Sequence, residues 1–144
     1  MTTSMIPHPG HTPATLTSLL RAELSAVETY RGALARLDGQ AAGPQLRQIC
    51  VDHSRSVQVL RGLLLRHGDA APASTAARES ADAGEELAVT VRALREDEAR
   101  QVEAYRRALA DHELTPQIRA LIRSDLLRRS ETHVPVLEAL IDES

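Results

Sequence analysis

Four stretches of this chain space their apolar residues by threes and fours, which is the pattern of helices that bury one face. The first stripe is Leu16, Leu19, Leu20, Val27, Tyr30, Leu34 and Leu37, and the second is Leu46, Ile49, Val57, Leu60, Leu63 and Leu64. The third is Leu87, Val91, Leu94, Val102, Tyr105 and Leu109, and the fourth is Ile118, Leu121, Ile122, Leu126, Leu137 and Leu140. The spacing predicts helices over about 14–38, 44–67, 85–111 and 116–141. Gly39 and Gly68 are natural stops, Pro44 suits a first helical turn, and Thr115 is a good N-cap ahead of Pro116. With two Tyr, no Phe and no Trp, the core has to be built from Leu, Ile, Val and Ala.

The fold class expected is all-α, a four-helix bundle made of two antiparallel helical hairpins joined by a long crossover. The first and third links are short, so each joins neighbouring antiparallel helices. The middle link, residues 69–83, is Ala-rich with Pro and Ser and reads as a connector with a helical turn near 76–80. A long middle link suits a bundle whose second and third helices run parallel. Residues 1–13, with three Pro and one Gly, read as a flexible tail that carries His8 and His11, and residues 14–142 form the bundle.

Seventeen basic residues stand against 20 acidic ones, for a net charge of −3, and no basic stripe or aromatic platform speaks for nucleic acid. No run of about 18 apolar residues speaks for a membrane span. Cys50 is the single cysteine, so no intrachain disulfide forms, which fits a reducing compartment. The first residues lack a charged n-region and an apolar h-region. A cytoplasmic location is the expectation.

The first and third helices repeat one another. Val27, Glu28, Tyr30, Arg31, Ala33, Leu34 and Ala35 recur 75 residues later as Val102, Glu103, Tyr105, Arg106, Ala108, Leu109 and Ala110, with Glu23 recurring as Glu98. The second and fourth helices both open with Pro-Gln-(Leu/Ile)-Arg, at Pro44 and Pro116, and share Val57–Leu60 against Val134–Leu137. Their offset moves from 72 to 77, so the fourth helix holds about five extra residues. Two related hairpins give a bundle with pseudo-twofold symmetry.

Each apolar stripe is interrupted by one metal-competent residue: Glu23, His53, Glu98 and His133. An ionised carboxylate in a dry core is costly unless it is paired or bound to a cation. Two Glu and two His that converge suit a first-row transition metal such as iron, manganese or zinc. The competing reading is a buried ion pair, for which Arg129 on the inner side of the fourth helix is available. Tyr30 and Tyr105 read as core residues with the hydroxyl toward a carboxylate, Cys50 as a small core hydrophobe, and Glu28, Glu103 and Asp125 as flanking residues. His67 and His112 read as helix-end residues.

Glu23-Leu-Ser-Ala-Val-Glu-Thr-Tyr30 resembles the first-helix motif of bacterioferritins and rubrerythrin-like proteins, and His133-Val-Pro-Val-Leu-Glu138 resembles the end of their last ligand helix. With the repeat, the chain over residues 15–142 is most similar to a small bacterial ferritin-like family of unknown function. The resemblance implies a midplane metal site, iron-dependent redox or stress chemistry, and a homodimer paired through the first two helices. It also implies a Glu-Xaa-Xaa-His pair on two of the helices, and there the chain departs: Cys50 precedes His53 by three residues and Ser130 precedes His133 by three. The bridging carboxylates are missing, so a degenerate site is expected, with a metal-free interaction or stress-related domain as the alternative. Asp52 and Glu131 sit about 100° around their helices from the histidines and are expected to point off the site. Counting from the expected helix ends also puts His53 about 7 Å along the axis from the level of Glu23. Pro135 interrupts the fourth helix, either aiming a ligand or bending around the connection.

Overall fold

The computed structural model describes residues 10–37, 41–67 and 87–143. The expected connector at 69–83, and residues 1–9 of the expected tail, lie outside the described residues. The elements are α1 (His11–Arg36), α2 (Gly43–Arg66), α3 (Leu87–Leu109), α4 (Pro116–Leu121) and α5 (Leu127–Glu143). A π-helical turn (Ile122–Leu126) joins α4 to α5, so that residues 116–143 run as one fourth helix. The described residues hold four helices and no strand, and they form an all-α bundle.

Three local features explain the boundaries. α1 begins at His11, which corrects the reading of residues 10–13 as tail. Pro13 is tolerated there because the first turn of a helix needs no N–H partner. Gly10 leads in with a φ of 106°, a conformation that favours glycine. Thr115 caps the fourth helix, its hydroxyl oxygen accepting from the Ile118 N–H at 3.3 Å. The π-helical turn lies inside the stretch over which the offset between second and fourth helices changes from 72 to 77. A widened turn rotates everything after it, and here it leaves Ile122, Leu126, His133, Leu137 and Leu140 all buried. The helix continues through Pro135, and Pro135 and Glu131 are both exposed, so the interrupted hydrogen bond falls on the solvent face.

Cross-helix contacts fix the directions. Cys50 lies against Val27 while His53 lies against Glu23, so α2 runs antiparallel to α1. Arg106 pairs with Glu131 and Arg95 with Glu138, so α5 runs antiparallel to α3. Tyr30 meets Glu98 and Tyr105 meets Glu23, so α3 runs antiparallel to α1. α2 and α3 therefore run the same way, and the end of α2 and the start of α3 lie at opposite ends of the bundle. Leu16, Leu20, Leu46, Leu60, Leu64, Val91, Ile122, Leu126 and Leu137 are fully buried between the helices. Each such side chain contributes about 1.5–3 kcal/mol on leaving water.

Candidate metal centre

At mid-height the leucine layers give way to a polar cluster. Glu23 on α1, His53 on α2, Glu98 on α3 and His133 on α5 are 0%, 1%, 2% and 3% exposed. They form a chain of alternating carboxylates and imidazoles. His53 Nδ1 lies 2.5 Å from Glu23 Oε1, and His53 Nε2 lies 2.5 Å from Glu98 Oε2. His133 Nδ1 lies 3.0 Å from Glu98 Oε1, and its Nε2 lies 2.9 Å from Asp52 Oδ2. Both tyrosine hydroxyls donate into the chain, Tyr30 to Glu98 Oε2 at 2.9 Å and Tyr105 to Glu23 Oε2 at 2.5 Å. The Gln101 amide donates to Glu23 Oε2 at 3.3 Å.

The charges in this cluster are mutually dependent. Burial is the strongest influence on His53 and favours the neutral ring, but the hydrogen bonds and charges of Glu23 and Glu98 outweigh it and hold the imidazole pKa up to about 10. Burial likewise opposes ionisation of Glu98, and the two histidines overcome it, bringing its carboxyl down to about 2. Burial, then the neighbouring Glu98 or Glu23, pushes the Tyr30 and Tyr105 hydroxyls up, so both tyrosines stay protonated donors. Without an ion, His53 is thus an imidazolium clamped between two carboxylates, which offsets the cost of burying them.

The donor set also fits a metal. His53, Glu98 and His133 can each offer one donor atom with all three atoms within 4.8 Å of one another. Two imidazoles and a carboxylate suit iron, manganese or zinc. A bound ion would take the place of the proton on one His53 nitrogen. Glu23 stands outside this triad and touches the other nitrogen of His53. The positions three residues before the histidines supply no carboxylate. Cys50 is packed with its Sγ 3.9 Å from the Val27 carbonyl, and Ser130 is buried.

Two expectations fail on geometry. Asp52 does not point off the site: its carboxylate meets His133, with Gln48 donating to its other oxygen at 3.1 Å. The expected axial gap does not keep Glu23 and His53 apart, since their side chains meet at 2.5 Å. Arg129 does not neutralise either glutamate but binds Asp125 and donates to the Ser56 hydroxyl at 2.9 Å. Glu131 is exposed and pairs with Arg106 on α3. Gln101 was not identified from the sequence; its only trace there is its place one turn after Glu98.

A second His/carboxylate group lies at one end of the bundle. His11 Nε2 is 2.5 Å from Asp111 Oδ2 and its Nδ1 is 3.0 Å from Glu113 Oε2, which pins the start of α1 to the turn before α4. The hydrogen bond to Asp111 raises the His11 pKa. His11 had been expected in a mobile tail. Among the described residues, no helix is long and apolar enough to cross a membrane. No family model matches the chain, nor does any curated protein or solved structure.

Proposed function

We propose that this chain is a ferritin-like bundle that binds one first-row transition-metal ion at its midplane through His53, Glu98 and His133. The observation that carries the reading is the convergence of three buried donors from three helices within 4.8 Å. The directions of the four helices and the resemblance of Glu23–Tyr30 to ferritin-like sequences support it. In this reading His53 binds through Nε2 and His133 through Nδ1, the nitrogens that face the two oxygens of Glu98. Glu23 and Asp52 then accept hydrogen bonds from the opposite nitrogens, fixing each ring's tautomer and orientation. Tyr30 holds Glu98 from the side through its hydroxyl. When bound, iron or manganese would supply redox chemistry, and zinc would supply Lewis-acid chemistry. A stress-related role and a homodimer rest on the resemblance alone.

A second reading, a metal-free helical interaction domain, rests on the hydrogen bonds that balance both buried glutamates without an ion. Metal content of protein purified without chelator or affinity tag, followed by anaerobic iron, manganese and zinc titrations, separates the two. The metal reading expects one ion per chain, lost in Glu98→Gln and in the Glu23→Ala, Glu98→Ala double variant. An absence of saturable binding by the folded wild type would establish the metal-free reading.

A further inference from the structure

A groove of about 350 Å³ opens between α1 and α3 and ends on Tyr30, His53 and Glu98. Two of these three are donors in the proposed triad, and this inference rests on that reading. The groove walls are repeat-related: Ala22 and Asp97, Ser25 and Arg100, Ala26 and Gln101 each stand 75 residues apart. The repeat has therefore diverged where it lines the groove. One wall carries small residues, and the other carries Gln101 and the Asp97–Arg100 ion pair.

A three-donor ion leaves coordination positions unfilled. We propose that the groove is the route by which a small uncharged ligand from solvent reaches those positions. Size follows from the floor, where His53 and Glu98 keep only 1% and 2% of their surface. Charge follows from the three carboxylates of Glu23, Glu98 and Asp52, which outweigh a divalent ion and disfavour an anion in a dry site. A molecule of a few atoms passes; a bulky organic substrate stops at the rim.

Nitric oxide, a neutral diatomic, is the probe for protein loaded anaerobically with ferrous iron, with azide as the anionic contrast. Two variants narrow the groove, Ala26→Leu and, in case that one folds poorly, Ala22→Leu. Iron affinity and nitrosyl formation, followed by absorption and paramagnetic resonance, are read separately. The expected result is a nitrosyl adduct in the wild type, weaker binding of azide, and a nitrosyl on-rate lowered by roughly tenfold or more in the variants at unchanged iron affinity. Iron-loaded variants that bind nitric oxide at the wild-type rate would overturn the route. An iron-loaded wild type that prefers azide, or takes up neither probe, would overturn the ligand class while leaving the metal site intact. Failure of the wild type to bind iron, manganese or zinc would remove the metal reading and the route with it.

Discussion

The two hairpins carry the same parts in the same order, yet they build different halves of the polar layer. Across α1 and α3 the correspondence is close: Tyr30 donates to Glu98, and Tyr105 donates to Glu23. It extends to the histidines' first contacts, since His53 Nδ1 faces Glu23 and His133 Nδ1 faces Glu98. The halves part at the second nitrogen. His53 Nε2 reaches across to Glu98, whereas His133 Nε2 turns to Asp52. Glu98 therefore meets two imidazoles and Glu23 meets one, with Gln101 taking the place a second ring would fill. Equal halves would make two equivalent ion positions. Unequal halves make one triad centred on Glu98 and give Glu23 a supporting part.

Removing one histidine at a time tests this asymmetry most strongly. His53→Leu leaves Glu23 and Glu98 buried without their shared cation, and should destabilise the metal-free protein by about 3–5 kcal/mol. His133→Leu leaves Glu98 with His53 and Tyr30 and should cost less, about 1–3 kcal/mol. Urea unfolding of the metal-free proteins measures both; equal losses would mean the halves are equivalent. The same contrast has a pH form. The His53 pKa lies above its ordinary 6.5, so its contribution is complete below pH 6.5 and is lost as pH rises through about 10. The Glu98 pKa lies below its ordinary 4.5, so its contribution is complete above pH 4.5 and is lost as pH falls toward 2. On these two groups the wild type is most stable between pH 4.5 and 6.5. The alkaline decline between pH 6.5 and about 10 should vanish in His53→Leu.

Metal affinity sharpens the comparison at the glutamates. Glu98→Gln removes the carboxylate shared by both rings and should abolish stoichiometric binding. Glu23→Gln keeps a hydrogen-bond acceptor behind His53 and should weaken binding by about 10–100-fold. Isothermal titration with zinc reads both, and the asymmetry fails if the two variants lose affinity equally. The tyrosines should behave oppositely, because there the halves do match. Tyr30→Phe and Tyr105→Phe each remove one hydrogen bond to a buried carboxylate, worth about 1.5–3 kcal/mol. Thermal unfolding should rank them together, and a large gap would show that the reciprocal pairing is not symmetric in energy.

The bundle and the inward position of Glu23, His53, Glu98 and His133 were legible because each interrupts an apolar stripe at helical spacing. One helix at a time, that pattern says which side chains face inward. It does not say which neighbour they face. Asp52 was misread for this reason: a residue about 100° from His53 leaves the α1 side of α2 but turns toward the fourth helix, where His133 waits. Gln101 was missed because its role depends on α3 packing beside α1. The meeting of Glu23 and His53 was hidden because helix ends, read from Gly and Pro, do not say how far side chains reach between neighbouring helices. The π-helical turn left only the changed offset between second and fourth helices as its trace.

The smallest effects are expected at the two positions three residues before the histidines, where a carboxylate would have offered a further ligand. Cys50 and Ser130 are both buried, each one turn before a histidine, and both lie outside the triad. If they only fill space, Cys50→Ala costs about 1 kcal/mol for the lost packing, Ser130→Ala less, and zinc affinity and stoichiometry stay at their wild-type values. Thermal unfolding and zinc titration read the two consequences independently. A clear loss of affinity in Cys50→Ala would bring the thiolate into the site on the α2 side. Because Ser130 has no equivalent donor to offer, that outcome would widen the difference between the hairpins and move the ion from Glu98 toward α2.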